Sequence, residues 1–360
     1  MCSSDLNMKE MFSKAKAFNQ PIGNWDVSKV TDMESMFDDA TAFNQPIGNW
    51  DVSKVTDMSW MFYNAAAFNQ PIGRWDVSDV TDMRDMFHGA EAFNQPIGSW
   101  DVTDVEDMNN MFRGASAFNQ PIGDWRVNDV TNMSEMFKGA TNFNQPIGDW
   151  WVKRVTNMEG MFSGAVAFNQ DIGDWDVFEV TNMSEMFKGA TNFNSPIGGW
   201  DVDNVTNMRG MFWNAVKFNQ PLSNWDVDEV TDMSYMFHGA ESFNQNLGEW
   251  EVDRARTQIL YMFSGANSLT RIPRWARENV NDEDDDDYED YNVIESEDGL
   301  IEDGLIDDDD DDDGGYGYEG MHNITGEGNA YEIHNAFAKL KNKDKKIRFI
   351  LGEYINNNTK

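Results

Sequence analysis

The apolar residues of this chain recur with a period of 25. Trp25, Trp50, Trp75, Trp100, Trp125, Trp150, Trp175, Trp200, Trp225 and Trp250 are evenly spaced, and series from Phe18 to Phe243 and from Asn19 to Asn244 keep step with them. A representative unit runs Phe43-Asn44-Gln45-Pro46-Ile47-Gly48-Asn49-Trp50-Asp51-Val52, then Val55-Thr56-Asp57-Met58, then Met61-Phe62. Trp50 and Val52 alternate as a short strand requires, and Pro46 stands at its entry, where a missing N–H does little harm. Met58, Met61, Phe62 and Ala65 follow the i, i+3, i+4, i+7 spacing of one helical face, with Thr56 as its expected N-cap. Gly89, Gly114, Gly139, Gly164, Gly189 and Gly239 recur where a helix end needs a left-handed residue.

One unit cannot cover its own Trp, Phe and Met, whereas stacked units bury them in continuous ladders. The expected architecture is therefore an α/β solenoid, leucine-rich-repeat-like, of ten 25-residue strand-plus-short-helix units. At the ~4.8 Å spacing of parallel strands it forms a rod or arc roughly 50 Å long. The Asn of each Phe-Asn pair is expected to satisfy backbone groups of the turn through its side chain. Met8, Met11 and Phe12 match the second half of a unit and predict a half-repeat cap. Ala255-Arg256-Thr257 breaks the pattern with one inserted residue, and Trp275 reads as a degenerate eleventh strand in a cap around 255–277.

The unit Phe-Asn-Gln-Pro-Ile-Gly-x-Trp-Asp-Val-x-x-Val-Thr-x-Met-x-x-Met-Phe-x-Gly-Ala resembles the BspA-type leucine-rich-repeat family. This is the mycoplasma-lipoprotein-like repeat of bacterial surface proteins, seen also in algal and giant-virus proteins. The match covers roughly residues 5–277. The resemblance implies a leucine-rich-repeat-like fold, display on a cell or virion surface, and adhesion or protein recognition.

Composition sharpens this picture. The 14 Trp, 24 Phe and 23 Met sit in a chain of 360 residues with a net charge of -37, so the apolar content lies in a few bulky side chains. Such charge repels nucleic acid and anionic membrane surfaces. No window approaches a membrane span, and the opening Met1-Cys2-Ser3-Ser4-Asp5 lacks the basic and apolar regions of a secretory signal. Cys2 is the sole cysteine, so neither an intrachain disulfide nor a cysteine zinc site is expected.

Three domains are predicted: the solenoid (1–277), a disordered acidic linker (278–320) and a short basic helix/strand segment (321–360). Residues 281–320 hold 21 carboxylates and no Lys or Arg, a composition that repels itself and buries too little to fold. Asp309-x-Asp311-x-Asp313-Gly314 opens like a calcium loop, but position twelve is Gly320, and no metal is assigned. Ile333, Phe337 and Leu340 fall on one face of a short helix, and Lys346–Leu351 reads as a strand or docking peptide.

No catalytic grouping is legible. His88 and His238 occupy one repeat position six coils apart, and no metalloprotease, hydrolase, Walker or dinucleotide pattern occurs. No catalytic residue, cofactor or metal is expected, and the chain reads as a non-enzymatic protein-binding or adhesion scaffold. A self-associating structural component of a virion or cell envelope is the alternative. Function belongs where the units differ, and there aromatic residues replace small or polar ones at Trp60, Tyr63, Trp151, Phe178, Trp213 and Tyr235, the candidate partner-binding residues.

Overall fold

The computed structural model describes residues 6–277. The acidic linker and basic segment predicted for 278–320 and 321–360 lie outside them. Each interior coil turns nine side chains inward, in the coil of Trp125 these being Ile122, Trp125, Val127, Val130, Met133, Met136, Phe137, Ala140 and Phe143, all essentially buried. Like positions of successive coils stack. Phe87, Phe112 and Phe137 form one column at 5.6 and 5.7 Å, Phe93 and Phe118 a second at 6.0 Å, and Trp125 and Trp150 a third at 6.5 Å with planes 4° apart. The chain is thus a repeat solenoid with one continuous aromatic core.

The secondary structure departs from the expectation in kind. Two short strands, β1 (Leu6–Asn7) and β2 (Val30–Asp32), pair in parallel. Beyond them the ladder narrows to one bridge per coil, running Asp32–Asp57–Asp82–Asp107 and on to Asp232–Gln258. It therefore lies at the Val-Thr-Asp position. The predicted strand Ile47–Val52 is instead a pair of turns, in which the Trp50 N–H donates to Ile47 and the Val55 N–H to Val52. Trp50 in, Asp51 out and Val52 in is the predicted alternation all the same.

The predicted helix is absent. Across Met58–Ala65 the N–H groups of Met61, Tyr63 and Ala65 donate three residues back, to Met58, Trp60 and Phe62. Those of Met58, Trp60, Phe62 and Asn64 cross to Asp82, Arg84, Met86 and His88 of the next coil. Trp60 and Asn64 take left-handed conformations, with φ of 60° and 51°, which no α-helix accommodates. The reason is spacing. Packed helices need about 8–10 Å between axes, whereas this ladder rises about 4.8 Å per coil. A ribbon of turns turns the same four side chains inward and still bonds across the short rise. Thr56 caps nothing, and its N–H donates to the Thr31 carbonyl at 2.9 Å. The predicted glycines are left-handed, with φ of 66–70°, as turn residues of this ribbon rather than helix ends.

The Asn series ties coil to coil. Asn119 Oδ1 accepts from the Asn144 N–H and from Gln145 Nε2, both at 3.0 Å, and the arrangement recurs along the stack. From Trp50 onward each indole N–H of the Trp column likewise reaches 28 residues back, as from Trp125 to Ile97 O at 3.2 Å. Asn119→Ala leaves two donors unmatched, and a loss of about 1–2 kcal/mol in denaturant unfolding is expected. Asn119→Asp keeps the acceptor and is expected to lose less. Equal losses would mean that the acceptor is irrelevant.

At the two ends the stack behaves differently. Trp25 is 40% exposed where Trp50 is 4% exposed. At the other end Trp275 covers Trp250 at 6.0 Å and donates to Leu247 O at 2.8 Å, so it does continue the column. It does so from a 3-10 turn, Arg274–Ala276, and not from the expected strand. The inserted residue is absorbed before Gln258, where Asp253 accepts from the N–H groups of Ala255 and Thr257.

Candidate functional site

The ribbon of turns presents two outward columns of variable residues. One holds Ser35, Trp60, Asp85, Asn110, Glu135 and their successors; the other holds Asp38, Tyr63, His88, Arg113, Lys138 and theirs. Left-handed backbone at the first column recurs in coil after coil and is held there by a carbonyl of the next coil, as in the 3.0 Å bond from the Trp60 N–H to Arg84. Side chains here contribute nothing to the buried ladders, so their identity is free to serve another purpose.

Trp60 and Tyr63 stack at 4.8 Å across one turn of this ribbon, and Tyr63 meets the His88 ring at 4.4 Å. His88 Nδ1 lies 2.8 Å from the buried Asp85 carboxylate. Six coils on, Trp213 stacks on Tyr235 at 5.1 Å, and His238 packs edge-on against both, at 5.3 and 5.8 Å. Tyr261, which is 58% exposed, extends this second cluster at 5.4 Å from Tyr235. Cations border this second cluster. The Lys188 ammonium sits 4.5 Å over Trp213 and the Arg209 guanidinium 5.5 Å over Tyr235. On the coils that follow the first cluster Arg84 pairs with Asp82 at 3.2 Å and Arg113 with Glu135 at 2.7 Å, and Lys188 is likewise paired with Glu185 at 2.8 Å.

Four of the six predicted residues thus assemble pairwise. The other two do not join them. Trp151 (47% exposed) and Phe178 (42% exposed) stand on the strip around the Trp-Asp-Val turns, among exposed carboxylates. His88, His238, Tyr261, Lys188 and Arg209 were not among the predicted residues. Repeat arithmetic contains the signal, because Trp60 and Tyr235 share one column, while Tyr63, His88, Trp213 and His238 share the other.

The carboxylates have structural work of their own. Asp51 accepts from the Ser53 N–H and hydroxyl at 3.2 and 2.7 Å, and these bonds hold it below the ordinary aspartate range, as the equivalent bonds do for Asp26 and Asp101. Asp82, within the ladder, is pushed up by burial. Asp203 is pushed up by desolvation and by the neighbouring charges of Asp201 and Asp226. Asp32, Glu34 and Asp57 bring carboxylate oxygens within 4.8 Å of one another. All three already have partners: Asn7 and the Glu34 N–H for Asp32, Lys9 for Glu34, and Ser59 for Asp57. Burial lowers His238 from the usual histidine range and thereby favours the neutral ring. The chemistry on offer at both clusters is stacking, hydrogen bonding and ion pairing. Among the described residues no helix is long and apolar enough to cross a membrane.

Comparison with known proteins agrees with the repeat reading. A family model described as Mycoplasma protein of unknown function, DUF285, matches residues 2–97, 67–175, 117–207 and 193–286. No curated protein matches. Among solved structures, a leucine-rich repeat protein from Bacteroides ovatus is similar at 12% identity, over 68% of this chain and 70% of that one, with a TM-score of 0.37. A leucine rich cell surface protein from Faecalibacterium prausnitzii is similar at 12% identity, over 64% and 78%, with a TM-score of 0.25.

Proposed function

The chain belongs to the DUF285 family, and we propose that its solenoid is a non-enzymatic scaffold that binds a protein partner through the ribbon face, in the service of surface adhesion. The observation that carries this reading is the pairing of aromatic side chains at positions where the stack requires none. Trp60–Tyr63 and Trp213–Tyr235 are half-buried and mutually stacked, and Lys188 and Arg209 lie over the second pair. Large, pre-packed aromatic surfaces lose little entropy on binding and are the usual interface anchors.

The test uses the full chain as bait on surface fractions of candidate partner cells, beside Trp60→Ala/Tyr63→Ala in the same chain. A protein retained by the parent is expected to bind the double variant more weakly by more than about 1 kcal/mol, the level that marks an anchor. Unchanged affinity would remove this cluster from the binding face. Lateral self-association is a second reading, supported by the exposed Trp151 and Phe178. Concentration-dependent light scattering that collapses on Trp151→Ala/Phe178→Ala would favour it.

A further inference from the structure

Each aromatic cluster contains a histidine, and the two histidines are housed differently. His88 and His238 occupy one position of the repeat, and each ring packs on an aromatic residue of the coil before, Tyr63 at 4.4 Å and Trp213 at 5.3 Å. Their carbonyls do the same work, accepting from the N–H of Asn64 at 2.6 Å and of Asn214 at 2.7 Å. What differs is the residue three places earlier. For His88 it is Asp85, whose buried carboxylate lies 2.8 Å from Nδ1. For His238 it is Tyr235, whose ring meets the imidazole at 5.8 Å with planes 65° apart.

Nδ1 of His238 is accordingly buried with no hydrogen-bond partner among the described residues. The charges beside its aromatic neighbours are cations, Lys188 at 4.5 Å over Trp213 and Arg209 at 5.5 Å over Tyr235. The nearby Glu185 is held by Lys188 at 2.8 Å. Tyr261, 5.4 Å from Tyr235, and Ser264, which continues the His238 column on the next coil, bring no charge.

A neutral imidazole suits this setting, with its N–H on Nε2 and the Nδ1 lone pair against apolar neighbours. A proton turns Nδ1 into a buried donor with nothing to receive it, and it adds charge where burial already disfavours charge. The π-faces offer little relief. Trp213 lies between Lys188 of the coil before and Tyr235 of the coil after, and Arg209 is already over Tyr235. A proton on His88 instead faces the Asp85 carboxylate and completes an ion pair.

The direction of the pH effect follows. The closed cluster holds the uncharged ring, whereas an opened ribbon gives His238 a water-exposed imidazole that takes a proton freely. Opening is favoured as pH falls through the ordinary histidine range, near ~6.5, and closure returns as it rises. We infer that His238 is an acid-sensitive latch on the ribbon face, whose protonation loosens the packing of Trp213, Tyr235 and His238 while the cluster of Trp60, Tyr63 and His88 keeps its form. On the recognition reading above, the second cluster then loses its grip in mild acid. The latch responds without any partner, so either idea can fail alone.

The experiment compares amide hydrogen exchange at Asn214 and Asn64 in the full chain, corrected for intrinsic rates, at about pH 7.5 and about pH 5.5. Both amides bond to the carbonyl of their histidine, so Asn64 corrects for the general effect of acid on the stack. Between the two conditions the protection of Asn214 relative to Asn64 is expected to fall by at least about threefold. His238→Gln, polar but unable to titrate, is expected to hold the ratio constant. Tyr235→Asp supplies the carboxylate that His88 has and is expected to abolish the fall. His238→Phe stands in should Gln fail to pack, and thermal unfolding at neutral pH shows which variants retain the parent stack. An unchanged or rising ratio in the parent would overturn the latch. So would an equal fall in a folded His238 variant, which would place the titrating group elsewhere. A full fall persisting in folded Tyr235→Asp would overturn the unpartnered Nδ1 as its cause.

Discussion

Phe112→Ala is expected to destabilise the solenoid by about 3–5 kcal/mol, the range for emptying an aromatic site in a rigid core. Phe112 is fully buried. Its ring stacks between Phe87 and Phe137 at 5.6 and 5.7 Å, lies 4.0 Å from Phe118, and sits 6.3 Å from Trp125. The void cannot be filled by neighbours, because each of them is held in its own column by coils above and below. Since each coil touches only its neighbours, the damage concentrates at two interfaces in the middle of the stack. Guanidinium unfolding followed by Trp fluorescence is therefore expected to show a lower first midpoint and a broadened or split transition. Trp25→Ala, at the exposed end, is the comparison and is expected to cost much less. A loss below about 1 kcal/mol for Phe112→Ala would contradict the aromatic column as the source of cohesion.

The second large effect comes from the closest approach between coils. Gly123 has an ordinary, non-left-handed φ, so its requirement is one of space. A Cβ there would stand 2.5 Å from the backbone oxygen of Pro146 on the next coil. Neither partner has a side-chain rotamer that relieves the clash, so the coils must part locally or the turn must deform. Overpacking of this kind costs about 1–3 kcal/mol and occasionally more, and Gly123→Ala is expected at the upper end. Gly199→Ala supplies the control, since a Cβ at Gly199 meets nothing within 4 Å. There the reduced entropy of the unfolded chain is expected to leave stability unchanged or raise it by up to about 1 kcal/mol. Equal melting temperatures for the two variants would refute close packing at the Pro-Ile-Gly turn.

The candidate site was half legible. Trp60, Tyr63, Trp213 and Tyr235 stand out in the sequence because they break a repeat whose other residues at those positions are small or polar. That two of them belong to one cluster and two to another follows from contacts between coils. So does the separation of Trp151 and Phe178, which break the repeat just as visibly but emerge on another strip. Irregularity in a repeat marks a residue as free of structural duty, but it does not say which neighbours the residue will have. His88 and His238 share one column position six coils apart, which the spacing shows; that each ring packs on an aromatic residue one coil away, Tyr63 and Trp213, is decided by the stack.

For the fold, the spacing of Trp, Phe, Met and Asn by 25 residues determined by itself that the chain coils, how many coils it has, which residues are buried, and that like residues stack on like. Those properties follow from period and hydrophobicity alone, because only a stack buries such a pattern. The secondary structure of each coil was decided in three dimensions. Met58, Met61, Phe62 and Ala65 satisfy the helical spacing and the ribbon spacing equally well, so local pattern does not separate them. A neighbour about 4.8 Å away does, because it leaves no room for a helix and offers carbonyls to every second N–H. The ribbon's left-handed residues, unfavourable in isolation, are held in place by bonds to a coil that lies 24 residues further along the chain.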